Sequence, residues 1–145
     1  MPTLPPLEPV NSEFDKATED HLRSIENLIG AQLPRPVSDF LRRYGGAVFS
    51  GDATVTGKDG KASSVFTIFR AAGTKGSVAN DLIAHPDYVD DGLLPIADDM
   101  FNNRYVVELS TGKVHFVEYG HGRRLEREIA ESFDAFLAAI RVVPD

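Results

Sequence analysis

Four side chains between positions 85 and 91 are of the types that bind metal ions or exchange protons. His85, Asp87, Asp90 and Asp91 would supply one imidazole and three carboxylates, which together suit a divalent cation. Their spacing matches neither the calcium loop of an EF-hand nor a helical zinc motif with two histidines. A solvated loop rich in aspartate is therefore the favoured interpretation, and a metal-dependent hydrolase is the third of three hypotheses.

Other sequence signals of catalysis are weak. In Gly51–Lys58 five residues separate the two glycines where a phosphate-binding loop has four, and Asp59 stands where that loop has Ser or Thr. Gly120-His121-Gly122 is not followed by the third glycine of a dinucleotide-binding motif. His115 lies inside a predicted strand, and the chain has no Cys nucleophile. We predict a protein without catalytic residues, metal or cofactor.

Negative charge is concentrated in one part of the chain. Six aspartates and no Lys or Arg occur between Gly76 and Asn103, whereas the rest of the chain is almost balanced within a total net charge of −7. Such a surface repels nucleic acid and anionic lipid and attracts basic proteins. The alternative is a solvated surface that only maintains solubility. The candidate partner-binding residues, chosen from charge alone, are Asp87, Asp90, Asp91, Asp98 and Asp99.

Length and composition indicate one globular domain. The chain has 145 residues, of which 42% are hydrophobic and 26% charged. Residues 1–11 hold four prolines and are predicted as an extended arm, which leaves 12–145 as the domain. No secretory signal or membrane-spanning run is visible, so we expect a cytoplasmic protein. Arg123, Arg124 and Arg127 would pair with nearby glutamates or contact a second protomer in a homo-oligomer.

The elements that must position these residues follow from hydrophobic periodicity. The predicted helices are Thr18–Ile29, Val37–Tyr44, Val78–Ala84 and Ser132–Ile140, and the predicted strands are Ala47–Ser50, Ala53–Thr56, Ser64–Arg70, Leu93–Ala97, Arg104–Leu109 and Lys113–Tyr119. His85–Gly92 is predicted as a polar loop. This order indicates an α+β fold: one sheet of about five to six mostly antiparallel strands, with the N-terminal and C-terminal helices packed largely on one side.

Short pieces from about Ile25 to Ile140 occur in an order and spacing typical of a known family. They are Ile25-Glu26, Leu28, Gly30, Leu33-Pro34, Phe40-Leu41, Tyr44-Gly45-Gly46, Leu94-Pro95-Ile96-Ala97, the Val106–Phe116 hairpin, Ile129-Ala130-Glu131-Ser132-Phe133 and Phe136-Leu137. The chain thereby resembles the SUKH superfamily in its Smi/Knr branch. It departs from the family pattern at Asn102-Asn103, where a Gly-Asp pair is common.

The resemblance implies a binding domain without enzymatic activity. Bacterial members are similar in role to immunity proteins, which bind and block a cognate toxin, frequently a nuclease, of a polymorphic toxin system. This is the first hypothesis, with a basic toxin domain as the partner. The second is a regulatory or scaffolding module like the fungal members of the family, which would bind other cellular proteins.

Overall fold

One curled antiparallel sheet forms the centre of the protein. The computed structural model describes residues 7–8, 16–73, 76–120 and 123–144. The helices are α1 (Glu19–Ile29), α2 (Arg35–Tyr44), α3 (Val78–Ala84), α4 (Pro86–Asp90) and α5 (Phe133–Ala139). The strands are β1 (Leu7–Glu8), β2 (Ala47–Thr56), β3 (Ala62–Ile68), β4 (Leu93–Asp98), β5 (Arg104–Glu108), β6 (Val114–Gly120), β7 (Arg123–Ala130) and β8 (Arg141–Pro144). Apart from β1, the predicted N-terminal arm lies outside the described residues.

The sheet runs in the order β1-β2-β3-β4-β5-β6-β7, and β8 also pairs with β2. Every pairing between these strands is antiparallel. The α+β prediction is confirmed, although the described sheet has eight strands. β7 was not predicted, because charged residues dominate its sequence, RRLEREIA, and obscure the alternation of apolar residues. The two strands predicted near Ala47 and Ala53 are one strand, β2, with an irregularity between Val48 and Ala53.

The first two helices form as their end signals predict. The Thr18 side chain accepts a hydrogen bond from the His21 backbone at the start of α1, and Gly30 ends it with φ 67°. α2 begins at Arg35, two residues earlier than predicted, because a proline such as Pro36 fits the unbonded first turn of a helix. Local signals therefore account for both ends of α1 and for the start of α2.

Helices cover both faces of the central strands β4 and β5. Tyr105 packs against Phe136 of α5, with 5.1 Å between the ring centroids. Its neighbour Arg104 points the opposite way and bonds Asp81 of α3. α2 joins α5 on the Tyr105 face through a 5.5 Å contact between the rings of Phe40 and Phe133, as predicted for the N-terminal and C-terminal helices. β4 is therefore apolar and buried almost throughout.

The β2–β3 hairpin folds back over the sheet to reach β7. Its turn contains Gly60 at φ 81°, as predicted for this hairpin. At the turn, Lys58 pairs with Glu128 and Glu131, and Asp59 lies 3.3 Å from the Arg127 guanidinium. The hairpin thus closes one end of a concave groove between β3 and β6–β7.

The predicted polar loop His85–Gly92 is wrong, because five of its residues form α4. Pro86 starts this helix, where its missing N–H costs nothing. Tyr88 is completely buried and packs at 5.1 Å from the His85 ring. The large apolar surface of one tyrosine therefore anchors a segment whose other residues are mostly polar.

Candidate protein-binding surface

The carboxylates of α4 are held by a cation from β7. Asp87 and Asp91 lie one helical turn apart, and Arg124 donates hydrogen bonds to both, at 2.7 Å for Asp87. Burial lowers the pKa of Arg124, but the bonds to Asp91 and Asp87 outweigh it, so the pKa is raised. Asp90 is exposed at the end of the helix. Asp87 and Asp91 thus share one guanidinium, and with the exposed Asp90 the α4 surface stays acidic.

Asp98 and Asp99 lie at the end of β4 and have different surroundings. Asp99 is only 5% exposed, and its carboxylate accepts bonds from the backbone N–H groups of Phe101 and Asn103 at 2.9 and 2.8 Å. Asp98 is half-buried and accepts a 3.0 Å bond from the Thr67 backbone. A role in partner binding stays a prediction for all five aspartates. The Asp99 carboxylate is already used in hydrogen bonds within its own loop.

Tyr119 connects α4 with the segment that follows β4. Its backbone N–H donates to Asn103 Oδ1 at 3.1 Å, next to the end of β4. Its hydroxyl bonds that of Tyr88 in α4, and its ring stacks on His85 at 5.7 Å. The tyrosine is 42% exposed. We call the surface formed by Asp87, Asp90, Asp91, Asp98 and Tyr119 the acidic face.

The segment Asp99–Asn103 joins β4 to β5, and we call it the β4–β5 loop. The side chain of Arg104 holds its backbone in place. Arg104 Nη1 donates to the carbonyls of Asn102 and Asn103 at 2.9 and 3.2 Å. Its Nε bonds both carboxylate oxygens of Asp81, which is buried. Asn102 adopts φ 65°, the left-handed region that favours glycine and that Asn tolerates better than most residues. The loop is therefore a defined, rigid feature.

Two apolar side chains project from this loop, and charge-based reasoning missed them. Met100 is 68% exposed and Phe101 is 78% exposed. Phe66 of β3, at 55%, lines the same hollow as Met100. The available signal was a pair of large apolar residues inside the polar run Asp98–Asn103, at a point where no strand or helix is predicted.

The side chains behind the third hypothesis, a metal-dependent hydrolase, make other contacts. Asp87 and Asp91 turn to Arg124, and His85 lies between the rings of Tyr88 and Tyr119. Throughout the described ranges, no three His, Asp or Glu side chains form a group suited to a metal ion. Arg124 also pairs with Glu126 at 3.4 Å, which is the first of the two alternatives stated for this basic cluster.

Asp98 makes stability depend on pH. Burial raises the pKa of its carboxyl to about 6, although the Thr67 N–H bond opposes the shift. Between about pH 4 and 6 the folded protein keeps a proton that the unfolded chain has lost, so the free energy of unfolding falls as pH rises. We expect Asp98→Asn to raise that free energy at pH 7 by about 1–2 kcal/mol and to flatten this slope. Urea denaturation at several pH values measures both.

Asp90→Asn is the matched control for this prediction, because Asp90 is exposed. It removes the same charge and should leave the stability and its slope near the wild-type values. A variant Asp98→Asn that is less stable than wild type at pH 7 would show that the ionised carboxylate stabilises the fold, contrary to the burial argument.

Comparison with known proteins identifies the family of this chain. A family model, SMI1 / KNR4 family (SUKH-1), matches residues 16–139, and the chain belongs to that family. It is similar to the SPbeta prophage-derived uncharacterized protein YokK of Bacillus subtilis (strain 168). The two are 23% identical over 142 aligned positions, which cover 85% of this chain and 74% of the relative. None of the helices within the described ranges is long and apolar enough to cross a membrane.

Proposed function

We propose that this protein is a cytoplasmic immunity protein that binds and neutralises a cognate toxin of a bacterial polymorphic toxin system. Membership of the SUKH-1 family carries the proposal, because that family includes immunity proteins of toxin systems and its members generally bind toxins. The acidic face supports it physically. Charge complementarity between such a face and a basic partner accelerates encounter and disfavours wrong partners.

A nuclease is the toxin class that this surface suits best. Nuclease clefts bind the phosphate backbone through Lys and Arg side chains. Carboxylates in a fixed arrangement can bind the same Lys and Arg side chains and so exclude the nucleic acid. Asp87 and Asp91 are held by Arg124, and Asp98 by Thr67, so most of the arrangement exists before binding.

In this role the chain would carry out no chemical step. Its most reactive-looking residues are already used in local contacts: His85 packs between two tyrosines, and the nearby carboxylates pair with an arginine. Neutralisation would then follow from occupancy of the toxin surface alone. It should be stoichiometric and reversible, with one inhibitor needed for each toxin.

Co-expression with the toxin domains encoded beside this gene tests the proposal. We expect protection of growth by one of them, a stable complex on gel filtration, and weaker binding at high salt. Asp90→Lys with Asp98→Lys should weaken binding about 10-fold or more, because like charges then face each other. Asp20→Lys on α1, whose carboxylate is 90% exposed, is the matched control for changing one acidic residue.

Two results would contradict the proposal. One is the absence of both protection and complex with every neighbouring toxin domain. The other is binding to endogenous proteins in cells that contain no toxin, which would favour the regulatory or scaffolding alternative. Turnover of a substrate that ends when one side chain is removed would contradict the non-enzymatic part separately.

A further inference from the structure

Three of the exposed apolar side chains described in the protein lie on or beside the β4–β5 loop. Met100 and Phe101 project from the β4–β5 loop with exposures of 68% and 78%, and Phe66 beside them is 55% exposed. Single exposed apolar residues are common, but three grouped in space indicate a binding site. We call Met100, Phe101 and Phe66 the apolar knob.

The backbone beneath the knob is held by hydrogen bonds from two buried side chains, Asp99 and Arg104. Asp99 accepts three hydrogen bonds from Phe101 and Asn103, and Arg104 Nη1 lies within hydrogen-bond distance of three oxygens of Asn102 and Asn103. Asn102 meanwhile keeps a left-handed backbone conformation. A loop that is ordered before binding loses little conformational entropy in the complex, and this increases affinity.

Hollows on both sides of the loop would receive the surface of a partner. Met100 and Phe66 line a cavity of about 590 Å³, and the other residues that line it belong to β2 and β3. Phe101 lines another, of about 360 Å³, with Phe116 of β6. The loop therefore stands as a ridge between two concavities. A partner with a pocket for the ridge and side chains for the hollows would exclude water from all three apolar residues.

Charge around the knob indicates which partner fits. Asp52 lines the cavity of about 590 Å³, and Glu118 lines the cavity beside Phe101. Asp98 lines a third, smaller hollow together with Met100. Of the described residues that line these hollows, Arg127 is basic; it lines the hollow beside Phe101 and already lies near Asp59 and Glu118, at 3.3 and 3.9 Å. An apolar centre surrounded by acidic groups complements an apolar pocket surrounded by Lys and Arg.

We infer that the apolar knob is the energetic centre of the interface with a basic protein partner, and that the carboxylates around it mainly steer association. This inference rests on the proposed function only for the identity of the partner, the toxin. Interface energy typically concentrates in a few central, desolvated large side chains, whereas charges at the rim affect mainly the association rate. Asp98 of the acidic face lines a hollow together with Met100 and Phe66 of the knob, and the bond from Tyr119 to Asn103 links the β4–β5 loop to the same face.

Binding kinetics with the neighbouring toxin domain test the inference. We expect Met100→Ser with Phe101→Ser to weaken binding about 30-fold or more, mainly by faster dissociation, at low and high salt alike. Asp98→Asn with Asp52→Asn should instead slow association and reduce the salt dependence. Ile83→Ser on α3, where the side chain is also 68% exposed, is the matched control and should bind like wild type.

The denaturation midpoints of the same variants provide a test that needs no partner. Because Met100 and Phe101 are exposed, the denaturation midpoint of the double serine variant should equal that of the wild type. A clear loss of stability would make the knob a structural feature and overturn the inference. Normal binding by that variant would overturn it as well.

Cross-linking separates this inference from the proposed function. A photoreactive phenylalanine analogue at position 101, with position 83 as control, would be introduced in the native host and its adducts identified by mass spectrometry. An adduct with a basic protein that is not a toxin would support the knob and contradict the immunity role. An adduct with a second copy of this chain, or no adduct beyond the control, would overturn the knob proposal.

Discussion

Replacement of Asp81 by alanine is expected to lower the free energy of unfolding by about 3–5 kcal/mol. Asp81 and Arg104 face each other at 3.0 Å, and their side chains are only 9% and 11% exposed. Burial raises the pKa of Asp81, and the Arg104 guanidinium opposes that shift. Without the carboxylate, a cation would remain buried against α3 with no anion to balance it. Urea denaturation followed by circular dichroism measures the loss.

An exposed ion pair and a double replacement control this experiment. Asp20→Ala breaks the pair with Arg23, whose side chains are 90% and 69% exposed, and should change stability by at most about 1 kcal/mol. Asp81→Leu with Arg104→Met removes both charges and should recover most of the stability. That variant also loses the bonds from Arg104 to Asn102 and Asn103, so the β4–β5 loop should become more susceptible to proteolysis. Equal losses from Asp81→Ala and Asp20→Ala would refute the argument from burial.

Phe136→Ala is expected to cost about 3–5 kcal/mol of unfolding free energy, because it empties the centre of the Tyr105 face. Phe136 is completely buried and contacts the rings of Tyr105 and Phe133, with centroids 5.1 and 6.3 Å away. It joins α5 to the middle of the sheet. The change is measured as a shift of the denaturation midpoint at constant slope.

The matched control is Phe101→Ala, which makes the same chemical change at a side chain that is 78% exposed. It should alter stability by no more than about 0.5 kcal/mol. The pair of variants therefore separates the two kinds of phenylalanine in this protein, one that holds the fold and one that is available to a partner. A loss below about 1 kcal/mol for Phe136→Ala would show that α5 contributes little to the core.

Elements with strong local signals were predictable from the sequence. Thr18 and Gly30 bound α1 because capping depends on neighbouring residues only. The apolar stripe of α5, with Phe133, Phe136 and Leu137, is buried as its spacing predicts. The β5–β6 hairpin was also predicted, and it pairs Tyr105 with Phe116.

The elements that were missed depend on distant contacts. α4 exists because Tyr88 finds a buried place beside Tyr119, which is 31 positions further along the chain. β7 is recognisable as a strand only once β6 lies beside it, because its own residues are mostly charged. The pairing of Arg124 with Asp87 and Asp91 depends on both elements. Charge alone therefore located an acidic segment but not the partners of its side chains.

The pairing of β2 has a consequence for how the newly made chain reaches its final form. β1 and β8 lie along the same edge of β2, opposite Val48–Phe49 and Gly51–Thr54 respectively. The segment that completes this edge is thus synthesised about ninety residues after the strand it protects. Until residues 141–144 leave the ribosome, part of β2 presents unpaired backbone groups to other nascent chains. Slow translation of the residues between β2 and β8 would therefore prolong the period in which this edge of β2 is open to aggregation.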